Sequence, residues 1–360
     1  MPLPTSLYLE LFRTIAASAV FFLHISTKDF TGGVLWQLGI FGQDAVMAFF
    51  ILSGFVVAFS ADHKHPTFSD FMIARLARLW SVALPAIILT LILDQLVRHL
   101  FDQSIPSNIR PPFSILEVVT STFFMNQIWF IKLVPGTNLP FWSLSYEFFY
   151  YVAFAAAYYF RGRTRFAALV TVVAVAGPKI LILAPIWLLG VVAYHLGKKQ
   201  FPQVIGWTLW LGSWLLLTAF YALHMKARLD SLLPVAMPLH NGVINLAEIV
   251  RNYLFAFLIF INVVGFTIIG HRFLRMLKWN QEWIKGAARY SFSLYLYHFP
   301  LIIFFRSLTV SAFGEWWQIL FMYGATLGCV FALGRVTEPR KVVITENMQR
   351  LMGLINIRTT

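Results

Sequence analysis

"SILEVVTSTFFMNQIWF", residues 114–130, is the stretch on which the fold turns. It is apolar enough to compete as a membrane span, yet it carries Glu117, Asn126 and Gln127. If it crossed a bilayer, every later segment would change sides. Its rival is "FAALVTVVAVAG" (166–177), which is short and stops at Pro178. A span needs roughly 20 mostly apolar residues. Nine stretches meet that plainly: 7–26, 40–60, 79–97, 142–160, 180–197, 203–223, 249–270, 289–307 and 317–336.

Charge decides between the two doubtful segments. With 166–177 spanning and 114–130 not, 19 of the 28 Lys and Arg fall on the inner side and 9 outside. The opposite choice turns "RGRTR" (161–165) and "GKK" (197–199) outward, against the positive-inside rule. The expectation is an all-α polytopic membrane protein of about ten transmembrane helices, both termini cytoplasmic. Segment 114–130 then lies in, or dips into, the outer leaflet. The tail 341–360 reads equally as a surface-lying amphipathic helix and as an ordinary cytoplasmic tail.

Composition agrees. The chain is 59% hydrophobic and 12% charged, with a mean hydropathy of +0.72, more apolar surface than a soluble domain of this length hides. The net charge of +13 is assigned to positive-inside loops and anionic headgroups, not to nucleic acid. The chain has one cysteine, Cys329, so an intrachain disulfide or thiolate metal cluster is excluded. The first apolar segment lacks a basic n-region and a small-residue cleavage site and reads as retained. Residues 1–340 read as one membrane domain.

Buried polar residues then carry the functional reading. "AVFFLHISTK" (19–28) puts His24 in hydrocarbon, eleven residues after Arg13. That is about three turns, so both project from nearly one face, roughly 16 Å apart. Such a stripe faces protein or water, not lipid. Asp44 and Glu147 are expected at a depth similar to His24, on two other helices. A carboxylate beside an imidazole orients it and raises its basicity, which prepares a general base. The structural alternatives are that Asp44 caps its span and Glu147 pairs with a loop cation. Ser143, four residues before Glu147, shares its face, as a nucleophile or as a packing hydroxyl. His298, in "YSFSLYLYHFP" (290–300), is expected near mid-membrane. Arg75 and Arg78 share a face at the inner surface, where two guanidinium forks suit phosphate. His63 and His65 lack metal-ligand spacing. The external stretch 224–247, with His224, His240 and Asn241, reads as a solvated loop or as part of an acceptor site.

In order along the chain stand Arg13 with His24, "FFILSGF" (49–55), the Arg75/Arg78 pair, "WSLSYEFFY" (142–150), "SLYLYH" (293–298) and "EPR" (338–340). This ordered set resembles the acyltransferase-3 family of integral membrane acyltransferases over essentially the whole chain. Ala45–Val46 stands where many members carry Gly-Val, with Asp44 just before it. The resemblance implies transfer of an acyl group, usually acetyl, from cytoplasmic acyl-CoA to a hydroxyl of a surface or exported carbohydrate or lipid-linked glycan. Residues carried over are Arg13 and His24 of the first span, Arg75 and Arg78 toward acyl-CoA, and Glu147. The expected catalytic set is His24, Asp44 and Glu147. Substrate binding falls to Arg13, Arg75, Arg78, Ser143 and His298. No bound cofactor and no metal are expected; acetyl-CoA is a substrate. The expected location is a bacterial inner (plasma) membrane. A transporter or flippase is the rival class, since polar residues at bilayer depth also line transport paths.

Overall fold

The computed structural model describes residues 1–100, 114–234, 236–239, 242–309 and 315–358. His240 and Asn241 lie outside these, as do the last two residues of the 341–360 tail. Each of the ten apolar stretches is helical: α1 Leu3–Ile25, α2 Gly42–His63, α3 Phe68–Leu100, α4 Trp142–Tyr159, α5 Gly162–Ala176, α6 Pro178–Leu196, α7 Gln203–Ala222, α8 Leu246–Ile269, α9 Ser291–Thr309 and α10 Glu315–Thr337. The tail forms α11, Arg340–Arg358, which packs on α3. A two-stranded antiparallel hairpin, Ala236–Leu239 with Gly242–Asn245, precedes α8.

Among the described residues, seven helices are long and apolar enough to cross a membrane, those beginning at Leu3, Gly42, Phe68, Pro178, Gln203, Leu246 and Trp316. The other three expected spans are α4, α5 and α9. α5 has 15 residues, while α4 and α9 dilute their apolar residues with Tyr, Ser and ionisable groups. The most apolar window of α2 is 78% buried, that of α7 only 22%. So α2 is the central post and α7 an outer wall. An all-round apolar helix such as α2 belongs in the middle of a bundle.

Close packing and polar bonds, not hydrophobicity alone, join helices in lipid. Where α2 crosses α6, a Cβ on Gly54 would stand 2.2 Å from the Trp187 carbonyl oxygen, and one on Gly190 2.0 Å from that of Ile51. Only glycine permits this approach. Around α1, Tyr8 Oη donates to Asn262 Oδ1 (2.5 Å), and Asn262 Nδ2 donates to Ser213 Oγ (2.8 Å), tying α1, α7 and α8.

The deciding stretch 114–130 is no span in the structure. Its helix, Ile115–Thr122, has eight residues, about 12 Å, too short to cross. The chain then folds into the protein. Asn126 and Gln127 are buried, and both donate to the Leu133 carbonyl (3.0 and 2.7 Å). Two of the three polar residues that spoil it as a span thus close its own loop. Asp94 on α3 accepts from the Thr137 N–H (2.9 Å) and Oγ1 (2.7 Å). Asn138 Nδ2 donates to the Leu296 carbonyl (3.0 Å). That acceptor is the one left free by Pro300, which has no N–H to give four residues back. One loop therefore fixes α3, α4 and α9 together.

Candidate functional site

Two cavities enter the bundle from opposite ends. The first, about 500 Å³, opens where α1 begins, α2 ends and α3 begins. Arg13 of α1 and Arg75 and Arg78 of α3 line it, with Lys64, Glu10 and Glu147. Arg75 Nη2 donates to Ser60 Oγ (2.8 Å), and Arg13 Nη2 to the Ala288 carbonyl (3.0 Å). The Nε groups of Arg13 and Arg75 are buried with no hydrogen-bond partner among the described residues. Buried guanidinium donors of this kind are suited to an anionic ligand, since an unpaired buried charge is costly.

Helix α4 divides its faces between the two spaces. Ser143, Glu147 and Tyr151, at i, i+4 and i+8, look into the first cavity. Trp142 and Tyr146 look into the second. Glu147 accepts from Ser53 Oγ (2.8 Å) and from Tyr151 Oη. Glu147 therefore sits among the arginines, not beside His24. The reason lies in the loop before α4. Because 123–138 dips into the protein, α4 starts below the surface, and five residues on Glu147 is already in the other cavity.

The second cavity, about 560 Å³, opens where α1 ends and α2, α6 and α8 begin. His24 lines it, with Trp142, Tyr146, Lys132, Lys179 and Arg251. His24 Nδ1 lies 2.8 Å from His298 Nε2, and His298 Nδ1 lies 2.7 Å from the Leu294 carbonyl. A carbonyl only accepts, so His298 Nδ1 carries the proton. With both rings neutral, His298 Nε2 accepts from His24 Nδ1–H. His24 Nε2 is left with its lone pair. Phe299 holds the other side of the His24 ring, edge to face at 4.8 Å.

The expected partnership of His24 with Asp44 is replaced by this histidine pair. Asp44 pairs with Arg251 (3.3 Å) and accepts from Tyr221 Oη (2.7 Å). A buried carboxylate takes the nearest cation, and Arg251 on α8 is that cation. Asp44 thus staples α2 to α7 and α8 and holds Arg251 at the cavity wall. His298, expected as a substrate contact, is fully buried behind His24. Ser143 Oγ bonds Tyr295 Oη (2.8 Å).

A family model described as an acyltransferase domain matches residues 6–335. The chain belongs to the acyltransferase-3 family. It is an integral membrane protein, with several apolar helices and this family's membrane domain. Over 153 residues it is 31% identical to the acyltransferase MdmB of Streptomyces mycarofaciens, a stretch covering 41% of this chain and 37% of that protein. No solved structure matches it. Of the residues carried over from the resemblance, Arg13, Arg75, Arg78 and Glu147 line the first cavity and His24 the second; Asp44 lines neither and reaches the second through Arg251. Sequence reasoning missed Ser53, Tyr151 and Asn138. The signal for Asn138 was Pro300, whose helix needs an outside donor for one carbonyl.

Proposed function

We propose that the protein transfers a short acyl group, most simply acetyl, from acyl-CoA to a hydroxyl of a carbohydrate or lipid-linked glycan on the opposite side of a bacterial plasma membrane. The observation that carries this reading is the pairing of an arginine-lined cavity at one end with a histidine-bearing cavity at the other, the two meeting inside the bundle. Ten spans with both termini cytoplasmic agree with the charge distribution and put the arginine cavity on the cytoplasmic side, where acyl-CoA is found.

In the reaction, Arg13, Arg75 and Arg78 hold the phosphates of the donor, and its pantetheine arm reaches toward His24. His24 Nε2 takes the proton of the acceptor hydroxyl as that oxygen attacks the thioester carbonyl. The C–O bond forms, the C–S bond breaks, and the proton passes from His24 to the leaving thiolate, giving the ester and free CoA. Glu147 balances the arginine charge in the donor cavity. His298 orients His24 and touches no substrate.

The test is release of CoA thiol by the purified protein in nanodiscs, supplied with acetyl-CoA and a mixture of neutral and acidic oligosaccharides. His24→Ala is expected to lose about 10²–10⁴-fold in turnover, the usual worth of a general base, while keeping CoA binding. No thiol release in nanodiscs, together with oligosaccharide moving across the bilayer of sealed proteoliposomes, would favour a transporter instead.

A further inference from the structure

Two residues, Val46 and Tyr295, line both cavities. They therefore stand in the partition between donor and acceptor spaces, from α2 and α9 respectively. Both are buried. The Tyr295 ring is held on two sides, by the Ser143 hydroxyl at 2.8 Å and by the Phe49 ring at a centroid distance of 5.5 Å. Ser143 opens only to the arginine side. A thioester anchored by its phosphates at Arg75 and Arg78 has to bring its carbonyl past this point to reach His24.

We propose that Val46, Tyr295 and Ser143 form a septum that selects the length of the acyl group. This rests on the donor reading given above. The acyl end of the donor lies against the Val46 side chain and the Tyr295 ring, which admit a short chain and refuse a long one. The Ser143–Tyr295 hydrogen bond locks the ring at its present setting, so the opening has a fixed width. Val46 is the residue to vary, because its two methyl groups are the only part of the septum removable without breaking a hydrogen bond. Neither Val46 nor Tyr295 contacts the guanidinium groups through any hydrogen bond among the described residues, so phosphate binding and acyl sizing are separable.

The experiment measures calorimetric binding of free CoA, acetyl-CoA and hexanoyl-CoA to the full chain in nanodiscs, for the wild type, Val46→Ala and Val46→Phe. Free CoA should bind all three proteins alike. The wild type should prefer acetyl-CoA over hexanoyl-CoA. Val46→Ala should narrow that preference by about tenfold or more, the discrimination that a methylene or two provides in an apolar pocket. Val46→Phe should weaken acetyl-CoA while sparing free CoA. An unchanged acetyl-to-hexanoyl ratio in Val46→Ala, with all three ligands bound, would overturn the septum. Loss of free CoA binding in the Val46 variants alone would also overturn it, placing Val46 in the phosphate site. Failure of the folded wild type to bind free CoA at all would overturn the donor reading beneath it.

Discussion

At the scale of single residues, the chemistry rests on one tautomer. The Leu294 carbonyl forces the proton of His298 onto Nδ1, and the 2.8 Å contact passes that constraint to His24. In the proposed reaction His298 is a positioning residue: without it, His24 is free to carry its proton on the nitrogen that faces substrate. His298→Ala is therefore expected to lower kcat by about 10²-fold, the scale of a misplaced catalytic group. CoA binding should not change, because His298 lines neither cavity. His298→Gln keeps an acceptor within reach of His24 and should recover part of the rate. Stopped-flow turnover beside calorimetric CoA binding checks both halves, and a purely structural role would move them together. Asp44 illustrates the opposite outcome at this scale. Residue type and depth suggested that it served His24, but those features do not say which neighbour is nearest, and Arg251 on a helix some 200 positions away takes the carboxylate.

At the scale of elements, the helices were readable and the loop between α3 and α4 was only half so. Apolar runs of sufficient length can do little else in a membrane than form helices, so all ten appear, nine within a few residues of their expected limits, while α3 starts eleven residues before its expected 79. Charge also settled that 114–130 does not cross. What it could not convey was depth. That the loop dives inward, shifting Glu147 from one cavity to the other, depends on Asp94 and Asn138 finding partners far along the chain. The same long-range bonds explain why the pairing of His24 with His298 was not legible, although both residues were. The loop can be tested through Asn138. Asn138→Ala leaves the buried Leu296 carbonyl unpaired, at a cost of about 1–3 kcal/mol, and thermal unfolding in detergent should shift down accordingly. Pro300→Ala restores an N–H four residues after that carbonyl. The double variant Asn138→Ala/Pro300→Ala should therefore be more stable than Asn138→Ala alone, a coupling that two independent defects would not show.

At the scale of the whole molecule, the proposed ten-span topology makes the protein asymmetric along the membrane normal. Under that topology Lys and Arg gather on the side of the termini, and the arginine cavity, lined at its mouth by Met1, Lys64 and His65, opens toward the same side. The other end presents tryptophan and tyrosine with three cations around a histidine, the cavity that the proposed reaction gives to the acceptor. In the proposed reaction a donor that does not cross lipid meets only the arginine mouth. In proteoliposomes, orientation can be scored by a protease site placed after Thr360, accessible or protected. Acetyl-CoA added outside should be consumed only by the fraction whose C-terminus faces outward, and the acetylated acceptor should form with oligosaccharide enclosed inside those same vesicles. Protease treatment that removes the outward tail without releasing the vesicle contents separates orientation from leakage. Consumption tracking the opposite fraction would mean that the donor enters beside His24, and the roles of the two cavities would have to be exchanged.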